Sequence, residues 1–292
     1  MKRKAITMLL FCFSIVCLCA CSQWGSPTSS FSILFMDVGQ GDAALVECDG
    51  RYMLIDGGDA SAGGKVYSTL EEQGIQHLDI LAISHMDADH IGGLPRALSY
   101  ASDIDLTIAN TSEWPTESFR KLEHELSING TEITVPQIHK TYQLGNAEVE
   151  VVDVASSDEN DSLVLLISYG NTRFLFTGDI EYKAQKRVAE YLSSDQRTDQ
   201  SGVFKIDCVK MPHHGAYNDN LGFQNSNLNR LIMTISPDYA VISVGNGNRY
   251  DHPHHDTMEL LEQADVRVYR TDEDGDVLVH SDGKKLSIQT SK

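Results

Sequence analysis

His85-Met86-Asp87-Ala88-Asp89-His90-Ile91-Gly92-Gly93 follows directly on the apolar run Leu78 to Ser84. Four nitrogen or oxygen donors within six residues, after a predicted strand and ahead of a predicted helix, aim into one small volume. Solvated turns are often acidic, but they seldom pair two imidazoles with two carboxylates this tightly, so the stretch reads as a metal site. Gly92 and Gly93 let the helix begin close to it.

Three more clusters stand at the ends of predicted strands. Phe174-Leu175-Phe176-Thr177-Gly178-Asp179 leaves a carboxylate at the tip of an apolar strand, and Val209-Lys210-Met211-Pro212-His213-His214-Gly215 leaves a histidine pair. Tyr250-Asp251-His252-Pro253-His254-His255 follows the strand Tyr239 to Val244. Each alone could be a cap. Together they converge, because neighbouring strand ends are where side chains from distant positions meet.

The elements between them are strands first, then strands alternating with helices, twice over. Phe31 to Met36, Ala43 to Glu47 and Tyr52 to Ile55 form a predicted antiparallel meander, followed by strand Leu78 to Ser84, helix Gly92 to Tyr100, strand Leu106 to Ala109 and helix Thr116 to Leu126. A second series has strands Val149 to Val154, Ser162 to Tyr169 and Arg173 to Phe176, helix Glu181 to Leu192 and strand Phe204 to Val209. It continues with helix Asn227 to Met233, strand Tyr239 to Val244, helix Thr257 to Gln263 and strands Val266 to Tyr269, Val277 to His280 and Leu286 to Gln289. Two such halves predict an α/β fold of two mixed sheets packed face to face with helices outside.

This set of motifs resembles the metallo-β-lactamase superfamily, whose signature is HxHxDH, and within it the ComEC-like branch, where the second histidine is an aspartate. Asp37 to Asp42 (Asp-Val-Gly-Gln-Gly-Asp), Leu54 to Gly58, Ser84 to Gly93, Asn160-Asp161-Ser162-Leu163, Thr177-Gly178-Asp179, Pro212 to Gly215 and His252-Pro253 match that branch in order. The resemblance covers about Phe31 to Thr290 and implies a four-layer αββα sandwich with two divalent metal ions, zinc or manganese. It assigns His85, Asp87 and one of His213 and His214 to a first metal. Asp89, His90 and His252 go to a second, and Asp179 bridges the two. The working assignment takes His213 as the ligand and His214, with Asp89 and Asp179, in catalysis. Asp56 is expected to orient the ligand loop by hydrogen bonding without binding metal. Asp87 in place of an imidazole makes the site harder and favours manganese, and the usual histidine some twenty residues before the bridging aspartate is absent.

Lys2-Arg3-Lys4 and the uncharged run Ala5 to Ala20 are too short for the roughly 20 apolar residues of a spanning helix, and read as a secretion signal. Leu18-Cys19-Ala20-Cys21 resembles a bacterial lipobox, with Cys21 as the lipidated residue. The expected organisation is a leader over 1–21, a flexible tether over 22–30 and one hydrolase domain over 31–292, lipid-anchored outside the cell membrane. Only Cys48 and Cys208 remain for the domain, so no disulfide framework is implied; both sit in apolar strands as buried thiols, or as one bridge if those strands are neighbours.

The formal charge is −19, and without residues 1–20, which hold three cations and no acid, 20 basic against 42 acidic side chains leave −22. That excludes a broad nucleic-acid-binding surface, though not metal-assisted action on a phosphate ester. The expected activity is hydrolysis by a metal-bridged hydroxide on a phosphodiester, either a short nucleic acid or a cell-wall ester. The alternatives are a lactam, lactone or thioester hydrolase with the same metals, and a non-catalytic binding lipoprotein.

Overall fold

A computed structural model describes residues 30–154, 162–217 and 226–292. The leader with Cys21, residues 22–29 of the tether expected over 22–30, and Asn160-Asp161 lie outside the described residues. Among the described residues no helix is long and apolar enough to cross a membrane.

Alternation along the strands makes two sheets. In Phe31–Phe35, residues Phe31, Ile33 and Phe35 are buried in the central core while Leu34 turns to the other face. Ala44–Cys48 and Arg51–Ile55 repeat the pattern, with Val46 and Met53 central and Leu45 and Leu54 outward. These three strands pair antiparallel, in the expected meander. Ile80–Ile83, Thr107–Ala109 and Ile133–Thr134 extend the sheet in parallel beyond Arg51–Ile55, and Val277–Ser281 and Leu286–Thr290 extend it beyond Phe31–Phe35.

The second sheet runs Arg267–Arg270, Tyr239–Ile242, Cys208–Lys210, Thr172–Phe176, Val164–Tyr169, Ala147–Asp153 and Thr141–Leu144; its first four strands are mutually parallel. Phe31 stacks on Phe174 at 4.9 Å and Phe35 on Phe176 at 5.5 Å across the interface between the sheets. Helices Gly63–Glu72, Leu94–Leu98 and Glu117–Ile128 cover the outer face of the first sheet. Tyr182–Ser194, Asn227–Ile235 and His255–Gln263 cover that of the second. The result is the αββα sandwich. Cys48 and Cys208 are both buried in the central core as free thiols, which removes the bridge alternative.

Several boundaries differ from expectation, and Gly63–Glu72, Ile133–Thr134 and Thr141–Leu144 are additional to the expected elements. Leu78 to Ser84 divides into His77–Leu78 and Ile80–Ile83 because the Asp79 side chain accepts a hydrogen bond from the Tyr52 amide. Gly92 to Tyr100 is two short helices, Ala88–Ile91 and Leu94–Leu98, divided where the amide of Gly93 donates to the carbonyl of Gly58. The strand Phe204 to Val209 shrinks to Cys208–Lys210: Phe204 and Ile206 are buried, but their amides donate to Thr234 and Ile235 at a helix end. Tyr239 to Val244 stops at Ile242, and the Val244 amide donates to the Thr271 hydroxyl instead.

Candidate metal centre

Parallel pairing brings the chemistry to one edge. Arg51–Ile55 and Ile80–Ile83 run together, so Asp56 and Ser84-His85 emerge side by side. In the facing sheet, Thr172–Phe176, Cys208–Lys210 and Tyr239–Ile242 release Asp179, His213-His214 and the segment leading to His252. A backbone hydrogen bond from Leu163 to the carbonyl of Ser84 ties the two edges together.

Three Gly-rich loops interlock behind the site. The amide of Asp42 donates to Asp89, that of Gly57 to His90 and that of Gly58 to Asp42. Gly41 is required where it stands: its φ of +138° favours glycine, and a Cβ there would run into the carbonyl of Asp89. His213 and His214 both hold left-handed backbone, with φ of 47° and 52°. Such residues cost on the order of 1–3 kcal/mol each and persist where surrounding structure enforces them. Here the turn swings both imidazoles toward one carboxylate.

That carboxylate is Asp179. Its Oδ2 lies 3.3 Å from Nε2 of His90, 3.5 Å from that of His214, 3.8 Å from that of His213 and 3.9 Å from that of His85. Asp87 Oδ2 is 3.7 Å from His85 Nε2, and Asp89 Oδ2 is 3.3 Å from His214 Nε2. Two donor groups therefore share His90, and Asp179 Oδ2 reaches from the first to within 3.5 Å of His214 in the second. His85, His90 and Asp179 gather on one side, and Asp89, His90 and His214 on the other.

His214 is only 1% exposed, and its Nε2 gathers with Asp89 and His90. His213 is the half-buried member of the pair, its Nδ1 held 2.6 Å from Glu181. The His252 ring packs beside His213 at 5.4 Å and beside His214 at 6.3 Å, outside the tight donor groups found among the described residues.

Asp56 accepts from the amide and the hydroxyl of Ser84 at 2.8 and 2.6 Å, and its Oδ2 lies 3.0 Å from His90 Nδ1. It thus fixes which nitrogen of His90 points inward. Replacing Asp56 by Ala is expected to weaken metal binding roughly 10- to 100-fold while leaving Asp89 and Asp179 in place. Competition with a chromophoric chelator measures this, and an unchanged affinity would remove Asp56 from the account.

Sequence reasoning missed Glu181. Lys210 stands beside the histidine pair, where a salt bridge to an acid is the expectation over a phosphate contact, and the acid is Asp42: Lys210 Nζ pairs with Asp42 Oδ2, donates to the carbonyl of Gly178 at 3.2 Å and lies 3.7 Å from Asp179 Oδ1. Asp42 Oδ1 in turn stands 3.4 Å from His214 Nδ1. The sequence signal for Asp42 is its place closing Asp37 to Asp42, and that for Lys210 is its place beside the histidine pair in a chain rich in acids, which does not name the partner.

Electrostatics inside the cluster follow from opposite charges overcoming burial. Desolvation alone would raise the Asp179 carboxyl, yet His90 and His214 hold it well below the usual range. Desolvation would lower His214, yet Asp179 and Asp42 push it up to about 9. His252 moves the other way, to about 4, through burial and the imidazoles around it.

The donors fit a divalent metal. Nε2 of His90, Nε2 of His214 and Oδ1 of Asp179 are buried without a hydrogen-bond partner, a costly arrangement that coordination of a cation would relieve. Imidazole and carboxylate without thiolate suit zinc, manganese or iron.

Comparison with known proteins agrees with the fold. The model of the metallo-beta-lactamase superfamily matches residues 36–246. ComE operon protein 3 of Bacillus subtilis (strain 168) is 29% identical over 301 residues, covering 94% of this chain and 36% of that protein. Recombination protein 2 of Haemophilus influenzae is 27% identical over 303 residues, covering all of this chain and 34% of that protein. The chain thus spans about a third of the length of the curated relatives it matches. Among solved structures, the metallo-beta-lactamase fold protein YhfI from Bacillus subtilis superposes with a TM-score of 0.56 at 14% identity, over 86% of this chain and all of that one, a likeness of fold.

Proposed function

The chain belongs to the metallo-beta-lactamase superfamily, in the company of ComEC-like sequences, and from that premise we propose that it is a dinuclear phosphodiesterase exported and held at the membrane by a lipid on Cys21. The observation that carries the reading is the single oxygen, Asp179 Oδ2, within 3.3 to 3.9 Å of four imidazole nitrogens. A carboxylate so shared would hold two cations, and a pair of divalent ions would supply the charge neutralisation that phosphoryl transfer needs.

Zinc or manganese, when bound, would make water acidic near neutral pH and neutralise charge developing on the ester oxygens. The chain's own part is to place donors. His85, Asp87 and His213 serve one side, Asp89, His90 and His214 the other, and Asp179 both. Glu181 and Asp56 fix the inward nitrogens of His213 and His90. His252, kept uncharged at neutral pH, offers a nitrogen at the open side. The carboxylates Asp87, Asp89 and Asp179 make the set hard, which suits phosphoryl oxygens better than a lactam carbonyl. A mature charge of −22 favours a short or zwitterionic diester over long DNA.

With zinc or manganese supplied, protein lacking residues 1–21 is expected to turn over bis(p-nitrophenyl) phosphate faster than a cephalosporin or a lactone. Side-by-side kinetics decide it. Efficient lactam or lactone hydrolysis without detectable diesterase activity would overturn the choice, and no hydrolysis at all with no metal bound would favour a binding role. For the anchor, Cys21→Ala is expected to move the protein from the membrane to the soluble fraction, because two or three acyl chains hold where one binds reversibly. Unchanged partitioning of the variant would mean that an uncleaved leader does the anchoring.

A further inference from the structure

The segment after strand Tyr239–Ile242 carries more than His252. Asn248 uses its whole hydrogen-bonding capacity on it: Nδ2 donates to the carbonyls of Gly245 and His252 at 3.0 and 2.6 Å, and Oδ1 accepts from the amides of Tyr250 and His252, both at 3.1 Å. Asp251, at φ +61°, turns the chain back. A loop pinned in this way is set in shape before any ligand arrives.

What it presents is an exposed aromatic ring and a guanidinium. Tyr250 is 48% exposed and stacks on the His252 ring at 5.6 Å and 23°. The Arg249 guanidinium lies 4.8 Å from the Tyr250 ring centre and donates to its hydroxyl at 2.6 Å. Arg249 is exposed and has no carboxylate partner among the described residues, in a chain of charge −19. An anionic ester approaching Asp87, Asp89 and Asp179 meets repulsion, and an unneutralised cation at the edge of the site offsets it.

We infer that residues 248–252 form a substrate arm, pinned by Asn248, in which Arg249 takes an anionic oxygen and Tyr250 packs on a planar ring, selecting a nucleoside phosphodiester over a choline-type one. The inference rests on the phosphodiesterase reading and names the residues that set its specificity. A quaternary ammonium would favour an aromatic ring too, but Arg249 occupies that neighbourhood with like charge. A nucleobase and its phosphate fit both groups, through stacking and a charge-assisted hydrogen bond.

The test uses two probes on zinc-loaded protein: anisotropy of a fluorescein-labelled phosphorothioate tetrathymidylate, and turnover of thymidine 5′-(p-nitrophenyl phosphate) beside p-nitrophenyl phosphorylcholine. Arg249→Met and Tyr250→Leu are each expected to weaken tetrathymidylate binding about tenfold and to raise KM for the thymidine ester alike, with kcat and metal content kept. Tyr250→Phe is expected to stay near wild type, and Arg249→Met to cost the phosphorylcholine ester less than the thymidine ester, because the lost phosphate contact is offset there by the lost repulsion of the ammonium. Arg267→Met is the charge-matched control. It removes an exposed guanidinium over a tyrosine ring, that of Tyr239, at the opposite end of the sheet. If Arg249→Met binds the probe as Arg267→Met does, or loses both esters equally, the arm is wrong while the diesterase stands. If wild type cleaves no diester yet binds the probe through Arg249 and Tyr250, the diesterase reading is wrong and the arm stands; absence of both binding and cleavage overturns both.

Discussion

Replacing Asp179 by Ala is expected to remove both metals and to lower diester turnover by about a thousandfold or more. The size follows from the geometry. Asp179 Oδ2 is the oxygen toward which His85, His90, His213 and His214 all aim, so its loss depletes both donor sets, whereas loss of a peripheral ligand depletes one. Charge stabilisation by bound ions contributes several kcal/mol to such reactions, and each 1.36 kcal/mol is about a factor of ten in rate. Asp179→Asn keeps the shape and discards the charge; it should retain partial metal at lower affinity. Metal content by elemental analysis and turnover on one preparation give the answer. Two equivalents of metal with wild-type turnover in Asp179→Ala would show that the shared oxygen is not the centre of the site.

The fold was legible because its strands alternate without ambiguity. Phe31, Ile33 and Phe35 could face only one way, and the motif glycines marked where strands ended. Helix Gly63–Glu72 was invisible for a local reason. It begins with two glycines after Ala62, has no side-chain cap and no acid in its first turn, so only Val66, Thr69 and Leu70 mark its buried face. Leu94–Leu98 was misjudged as part of a longer helix because close packing, not propensity, divides it at Gly92-Gly93.

The site was legible as a list and less so as a grouping. His213 and His214 are adjacent in sequence, and nothing there says that two left-handed residues would bury one and leave the other half-exposed. Glu181 meets His213 from the adjacent strand of one sheet and Lys210 meets Asp42 across the two sheets, so both partners depend on which strands become neighbours, a long-range property that local pattern does not carry.

The Asp42–Lys210 pair makes the most demanding stability prediction. Lys210 is 3% exposed and its ammonium is shared among Asp42, the carbonyl of Gly178 and the vicinity of Asp179. Lys210→Met keeps the length of the side chain and deletes the charge, leaving the Asp42 carboxylate buried with only imidazoles near it. Breaking a buried pair on one side costs about 3–5 kcal/mol, a large part of the roughly 5–15 kcal/mol that keeps a domain folded. A fall in unfolding temperature on the order of 10 °C is expected for a domain of this size. The double variant Asp42→Asn with Lys210→Met should recover most of that loss, because it removes the stranded charge along with its partner. Recovery separates a charge effect from a packing one: if the double variant is as unstable as the sum of the singles, Lys210 supports the site by filling space, and the pair's role behind Asp179 and His214 is not electrostatic.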